Sequence, residues 1–374
     1  MPNSVRHPSA SLATRLESWL SQAVQRRWYS RPGWLWVLLP LELVFRHLSR
    51  ARRRRLQENA KYFPAPVVIV GNISVGGTGK TPLLVALVKR LQQRGFNPGV
   101  VSRGYGRKTT DDRIDTIILD DASTANDVGD EPLEIFTLTG APVVVADDRV
   151  TAVALLLEKF DCDVVLADDG LQHYRLGRTI EIAVIDANQL LGNGHCLPLG
   201  PLREPLSRLT GVDHILLAGG ADSEYKIQQL LVEQGLPLHA SVACFSPRLS
   251  TLVHLETAQE FGLEKLKSFD HIDAIAAIGN PQKYFNALEE LLGAAVNFSR
   301  HSFPDHYAFA AADLSGFADS TVIMTAKDAM KCKAFAQPNW WYLRLDTDVP
   351  DTIVDSIALA VAAKSIERPN VERL

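Results

Sequence analysis

"VVIVGNISVGGTGKTPLLVALVKRLQQRG", residues 67–95, reads as a buried strand, a glycine-rich loop and an amphipathic helix, and the rest of the chain is placed relative to it. Val67, Val68, Ile69 and Val70 are a β-branched run suited to a central parallel strand. Gly76, Gly77, Thr78 and Gly79 leave the following loop almost bare, so backbone N–H groups can approach an anion closely. Lys80 and Thr81 then open the helix. Phosphate would meet unsatisfied N–H groups, the positive end of the helix dipole and the Lys80 ammonium together, while Thr81 offers its hydroxyl to a magnesium ion. Pro82 fits, because the first helical turn has no donor to lose. The general pattern G-x-x-x-x-G-K-[ST] wants glycine where Ser74 stands. The bland alternative is a strand-to-helix turn that binds nothing; the strand, the helix and Lys-Thr at the right offset favour a nucleotide site.

At 374 residues the chain is long for one domain and comfortable for two, and 46% hydrophobic with 22% charged residues is a globular composition. The net charge of -4 argues against nucleic-acid binding, but it is unevenly spread. Residues 1–60 hold eleven arginines against Glu17, Glu42 and Glu58, so the remainder is strongly acidic and one end is expected to touch an anionic surface. Cys162, Cys196, Cys244 and Cys332 form no C-x-x-C pair, which excludes a disulfide framework or a zinc ribbon. No cleavable leader opens the chain, so retention on the cytoplasmic side is expected.

Residues 31–55, "RPGWLWVLLPLELVFRHLSRARRRR", carry one charge, Glu42, between Trp34 and Phe45. That run is too short to cross a hydrocarbon core, which needs about 20 residues. Trp28, Trp34 and Trp36 with Arg46, Arg50 and Arg52 to Arg55 suit a segment lying among headgroups, basic residues on anionic lipid. The alternative is a helix packed on the protein's own core.

"NPGVVSRGYGR" is a second strand ending in glycine and arginine beside the phosphate loop, where α/β sheets bind ligands. "NDVGDEPLEIFTLTG" offers Asp130 and Glu131 ahead of a helix, where acidic residues by default favour the dipole. "APVVVADDR" is a strand, with Arg149 opening a helix. "CDVVLADDGLQHYRL" runs an apolar strand into Asp168 and Asp169, the form that places carboxylates where they can hold magnesium. "GNGHCLPLGPLREP" is too rich in Gly and Pro for regular structure up to Arg203, and reads as a ligand-lining loop.

With "TIEIAVIDA" and "HILLAGG" as further strands, the fold class is α/β: a P-loop NTPase-like doubly wound parallel sheet. It is joined by a second, smaller α/β domain and an N-terminal amphipathic membrane-associated helix. The expected divisions are a membrane-anchoring segment at 1–60, a nucleotide-binding domain at 61–222, a smaller domain at 223–348 and a closing helix at 349–374, with packing back on the first domain as one option. Asp305 and His306 fall on a connecting segment of the smaller domain.

Together "VGNISVGGTGKTP", "SRGYGR", "GDEPLE", "ADDGLQH", "LPLGPLREP", "AIGNPQKYF", "FPDH" and "TAKDAMK", in that order, resemble the tetraacyldisaccharide 4'-kinase family, the lipid A kinases of Gram-negative bacteria. Ser74 matches the family's own form of the loop. The resemblance implies ATP and Mg2+ as cofactors and transfer of the γ-phosphate to the 4'-hydroxyl of a lipid A disaccharide precursor. It places the reaction at the cytoplasmic face of the inner membrane, on anionic inner-membrane lipids, with no obligate protein partner. It makes Asp130 the base, helped by His306, although residue reading alone does not choose Asp130 over Asp169. Lys80 binds the transferred phosphates; Thr81, Glu131, Asp168 and Asp169 are the metal candidates; Tyr105, Arg149, Gln172, His173, Arg203 and Glu204 line the substrate. Ala326 stands where the family usually has glutamate, and Leu199 where alanine is usual. Two other readings compete: a membrane-associated P-loop switch ATPase acting on a protein partner, and a soluble small-molecule kinase. No N-K-x-D guanine signature is present for a GTP switch.

Overall fold

The computed structural model describes residues 23–105, 107, 116–219, 223–237, 239–293, 296–305 and 307–366. Two sheets follow one another along the chain. The first contains β1 (Val67–Gly71), β2 (Pro98–Ser102), β3 (Ile117–Ile118), β4 (Val143–Val145), β5 (Val164–Asp168), β6 (Ile180–Asp186), β7 (His214–Ala218) and β8 (Ser241–Phe245). Their order is β3-β4-β2-β5-β1-β6-β7-β8, parallel throughout except for the short edge strand β3. β1 lies at the centre, with β5 and the earlier strands on one side and β6 on the other. The loop after β1 therefore sits where strand order reverses, the crevice in which doubly wound sheets take their ligands.

Every residue of β1, β2 and β5 is buried, as a sheet covered on both faces requires. Val67 and Ile69 face one apolar cluster, Val68 and Val70 the other. Against the second cluster packs α2 (Lys80–Gln93), through Leu83, Leu84, Leu87, Val88 and Leu91, all fully buried. It is preceded in the chain by α1 (Leu39–Gln57) and followed by α3 (Asp130–Thr139), α4 (Arg149–Lys159) and α5 (Ser223–Glu233). Asp148 caps α4, its carboxylate accepting from the Val150 N–H.

The parallel sheet does not end near residue 222, as its strand alternation suggested. α5 and β8 continue it, because β8 pairs in parallel with β7 from His214↔Ser241 to Ala218↔Phe245. Partial burial on β8 hides the strand from a purely hydrophobic reading.

Only Ser246 separates β8 from the second sheet, formed by β9 (Pro247–His254), β10 (Glu260–Phe261), β11 (His271–Ala276), β12 (Asn297–Ser302), β13 (Val322–Thr325) and β14 (Trp340–Thr347). The order is β10-β9-β14-β13-β11-β12, with β9 and β10 antiparallel. Helices α6 (Pro281–Leu292) and α7 (Ala326–Cys332) belong to this unit, and α7 touches α3 of the first. The last helix, α8 (Asp351–Ile366), returns to the first unit: Ile353, Val354, Ile357 and Val361 join the cluster under α2. Asp351 and Asp355 pair there with Arg90 and Arg94.

α1 lies on the first unit. Glu42 is 1% exposed; its carboxylate accepts the Cys196 N–H at 3.0 Å and lies 3.1 Å from His195 Nδ1. Phe45 packs beside it on the core. The opposite face exposes Leu41, Val44 and Leu48, spaced to form one stripe, with Trp34, Trp36 and Val37 exposed in the 3-10 helix that precedes it, Gly33–Leu38. The helix thus packs on the protein's own core, and its apolar outer face stays uncovered. No helix among the described residues is long and apolar enough to cross a membrane.

Candidate active site

The phosphate loop is held open from behind. Ile73 C=O accepts from Arg203 N–H at 2.6 Å and Val75 N–H donates to Pro201 C=O at 2.9 Å, so the Gly/Pro segment pairs with the loop's first half. Ser74, 6% exposed, forms a bridge with Leu202 and takes no positive φ, so this position has no need of glycine. The demand falls on Gly76 and Gly79, at φ +108° and +80°. A Cβ at Gly76 or Gly77 would meet nothing within 4 Å, so the loop's outer face is open to a ligand.

Lys80 is the first residue of α2, and its Nζ lies 3.3 Å from Asp169 Oδ1. Arg203 Nη1 donates to Asp169 Oδ2 at 3.1 Å. Burial alone would raise the Asp169 carboxyl, but Lys80 and Arg203 outweigh it and hold it below the usual range. Asp169 thus stays ionised between two cations.

Asp168 differs. It is 2% exposed at the end of β5, and burial, reinforced by the charge of Glu131 and opposed by Lys80, raises its carboxyl. Ser102 Oγ donates to Asp168 Oδ2 at 2.9 Å, while Asp168 Oδ1 is buried without a hydrogen-bond partner. Thr78 Oγ1 is likewise buried and unpartnered. An orphaned carboxylate oxygen beside an open phosphate loop is a fit donor for a hard cation. Among the described residues no three His, Cys, Asp or Glu side chains form a ready cage. Magnesium needs none, since it is commonly held by one or two carboxylates together with substrate phosphates.

Asp130 and Glu131 are the first two residues of α3. Each faces a lysine of α7: Lys331 Nζ lies 3.0 Å from Asp130 Oδ2, and Lys327 Nζ lies 3.5 Å from Glu131 Oε1. His306 and Gly106 lie outside the described residues. Tyr105, three residues beyond the end of β2, is 71% exposed.

Two residues expected to line the substrate are buried and brace the site. Arg149 is 1% exposed, donating to Ala146 C=O at 2.8 Å and Asp168 C=O at 3.1 Å, so it ties the ends of β4 and β5 together. Glu204 is 3% exposed and accepts from the Tyr174 hydroxyl and, at 3.2 Å, from Gln172 Nε2. Gln172 also donates to Asn72 C=O at 3.0 Å, which links this wall to the phosphate loop. Arg208 continues the network from Tyr174 to Glu181. Such a network is stable when each member is paired.

Gln172 and His173 reach a cleft of about 750 Å³ between α1 and the segment after β5, which Leu48, Arg52, Arg55 and Arg175 also line. Burial first, then the Arg149 charge, lowers the His173 imidazole to about 4, so it is neutral there at neutral pH. Leu48 belongs both to this cleft and to the exposed stripe of α1.

Reading the residues alone missed Ser102 as a partner of Asp168, and Lys327 and Lys331 opposite the acidic pair. The lysines carried a signal: four residues apart in "TAKDAMK", they share one face of a helix.

A bare loop, a lysine opening the following helix and strand-end aspartates at the switch point define a P-loop nucleotide-binding protein of the α/β class. Within that class, the chain belongs to the tetraacyldisaccharide-1-P 4'-kinase family, whose profile matches residues 34–362. It is 42% identical over 338 residues to the tetraacyldisaccharide 4'-kinase of Stutzerimonas stutzeri, covering 89% of this chain and 94% of that one. Over 339 residues it is 39% identical to the enzyme of Alcanivorax borkumensis, covering 90% and 97%. The crystal structure of LpxK from Aquifex aeolicus in complex with ATP superposes with a TM-score of 0.69 at 26% identity, over 87% of this chain and 99% of that one. These full-length matches are to kinases, and they leave the switch-ATPase reading without support.

Proposed function

We propose that this site transfers the γ-phosphoryl group of ATP to the 4'-hydroxyl of a tetraacyldisaccharide 1-phosphate, the lipid A precursor on which the family acts. The observation that carries the reading is the convergence of the open loop, Lys80 and the Ser102–Asp168 pair at the ends of β1, β2 and β5, in a chain matched to the family from residue 34 to 362.

Phosphoryl transfer asks for positioning and charge neutralisation more than for covalent chemistry. The loop N–H groups and Lys80 hold the β- and γ-phosphates. Asp168, with Thr81, would hold magnesium, with Glu131 close to it, and the cation would supply charge neutralisation at the phosphates. Asp169 fixes Lys80 and Arg203 on the loop. Asp130 accepts the 4'-hydroxyl proton as the 4'-oxygen bonds to the γ-phosphorus and the bond to the β–γ bridging oxygen breaks, releasing ADP. His306, from the second unit, assists Asp130.

The acceptor enters from the membrane. The stripe Leu41, Val44 and Leu48 lies in the apolar boundary of an anionic bilayer at the cytoplasmic face of the inner membrane, and the arginines following it meet headgroups. Leu48 leads from that face into the cleft lined by Arg52, Arg55, Gln172 and His173, which receives the phosphorylated disaccharide while its acyl chains stay in lipid.

The test is incubation with magnesium, γ-labelled ATP and tetraacyldisaccharide 1-phosphate in mixed micelles. Label in a bisphosphorylated lipid, lost in Asp130→Ala, is the expected result. Turnover that survives in Asp130→Ala would remove Asp130 as the base, and ATP consumption without labelled lipid would remove the reading.

A further inference from the structure

We infer that Lys331 is a positioning residue, through which the second unit sets the orientation of Asp130; this rests on the reading of Asp130 as the proton acceptor. The lysine comes from α7, whereas Asp130 opens α3 on the first sheet. Their charged atoms are 3.0 Å apart, with side chains only 6% and 11% exposed. Screening by solvent is therefore weak, and the attraction between the two charges is stronger than that of a surface ion pair.

Lys331 is itself held from behind. Asp328, 0% exposed, lies 3.6 Å from Lys331 Nζ. Its carboxylate accepts the Ala277 N–H at 2.9 Å and the Thr325 hydroxyl at 2.7 Å, at the ends of β11 and β13. The Asp328 N–H returns to Thr325 Oγ1 at 3.2 Å, capping α7. A chain of charged contacts thus runs from the second sheet through Asp328 and Lys331 to the first turn of α3. Lys327, one helical turn earlier, repeats the contact on Glu131 at 3.5 Å. An aliphatic side chain would fill the same space without desolvating an ammonium, so packing alone does not account for the lysine. What it supplies is a fixed direction for a carboxylate that must meet a hydroxyl in a reactive pose, where misplacement by about 1 Å costs on the order of 100-fold in rate.

The test compares Lys331→Met and Lys331→Arg in the full-length protein by steady-state lipid phosphorylation, with enzyme amounts normalised to bound ATP. Lys331→Met is expected to lower kcat about 100-fold while the KM values for ATP and lipid stay within about threefold, because an interaction that orients the reacting group acts in the transition state. Lys331→Arg, which keeps charge and donors, is expected to recover most of that loss. An unchanged kcat, a loss confined to KM, or equal loss in both variants would overturn the assignment. A thermal double-mutant cycle with Asp130→Asn and Lys331→Met needs no lipid and reads the contact by itself. The double variant is expected to melt above the sum of the two single shifts; strict additivity overturns the contact. Absence of lipid product from the wild-type protein would instead refute the kinase reading and leave the cycle intact. Lys331→Gln replaces Met in both arms if the Met variant does not fold.

Discussion

Ser102 and Asp168 meet across the ends of β2 and β5, the Ser102 hydroxyl donating to Asp168 Oδ2 at 2.9 Å while Oδ1 is buried without a hydrogen-bond partner. A hydrogen bond to an ionised group contributes about 1.5–3 kcal/mol, so Ser102→Ala is expected to lower kcat/KM about tenfold. The loss should shrink as magnesium is raised, because a looser carboxylate binds the cation more weakly. Initial rates over a magnesium series check this; a deficit that does not vary with magnesium would detach Asp168 from the metal.

Glu42 joins α1 to the loop at Cys196. Glu42→Ala leaves the buried Cys196 N–H without its acceptor, at a cost of about 1–3 kcal/mol, and is expected to lower the urea midpoint. Lipid phosphorylation should fall with it, since the cleft between α1 and His173 loses one wall. A midpoint equal to wild type would mean that α1 is not held there in solution.

The uncovered stripe of α1 gives a separable effect. Leu41→Glu with Val44→Glu is expected to reduce binding to anionic vesicles at least about tenfold, each lost apolar side chain being worth about 1.5–3 kcal/mol when buried. Both side chains are exposed, so the melting temperature should hardly move. Cosedimentation at low and high salt measures the first effect, and undiminished binding would place the membrane face elsewhere.

His173 titrates at about 4 rather than 6.5, so between those values the unfolded chain binds a proton that the folded chain refuses. Stability from this residue therefore rises with pH across the window and is lost on acidification, by at most about 3 kcal/mol. His173→Gln is expected to flatten the pH dependence of the urea midpoint between pH 6.5 and 4. A gap between variant and wild type that stays constant over the window would show that the imidazole is not buried as neutral.

Local chemistry made much of the nucleotide half legible in the chain. A strand followed by bare glycines and Lys80 has few structural uses, and β5 running into Asp168 and Asp169 repeats a short-range pattern that needs no distant partner. Even the division of labour between those aspartates depended on neighbours remote in sequence: Arg203 pairs with one and Ser102 with the other, 34 and 66 residues away.

Periodicity also told where most strands lie, but not which sheet receives them. β8 joins the first sheet because its backbone pairs with β7, a decision invisible in a half-buried run of mixed residues. The family resemblance implied substrate contacts for Arg149 and Glu204, whereas the fold buries both, Arg149 against the Ala146 and Asp168 carbonyls and Glu204 against Tyr174 and Gln172. The sequence by itself determined the phosphate loop, the α/β class and the amphipathic α1, since each rests on residues within a few positions of one another. The tertiary structure alone decided which aspartate bonds Ser102 and which sits between Lys80 and Arg203, which face of α1 stays uncovered and which lysine meets Asp130, because these depend on approach between segments that chain order leaves unconstrained.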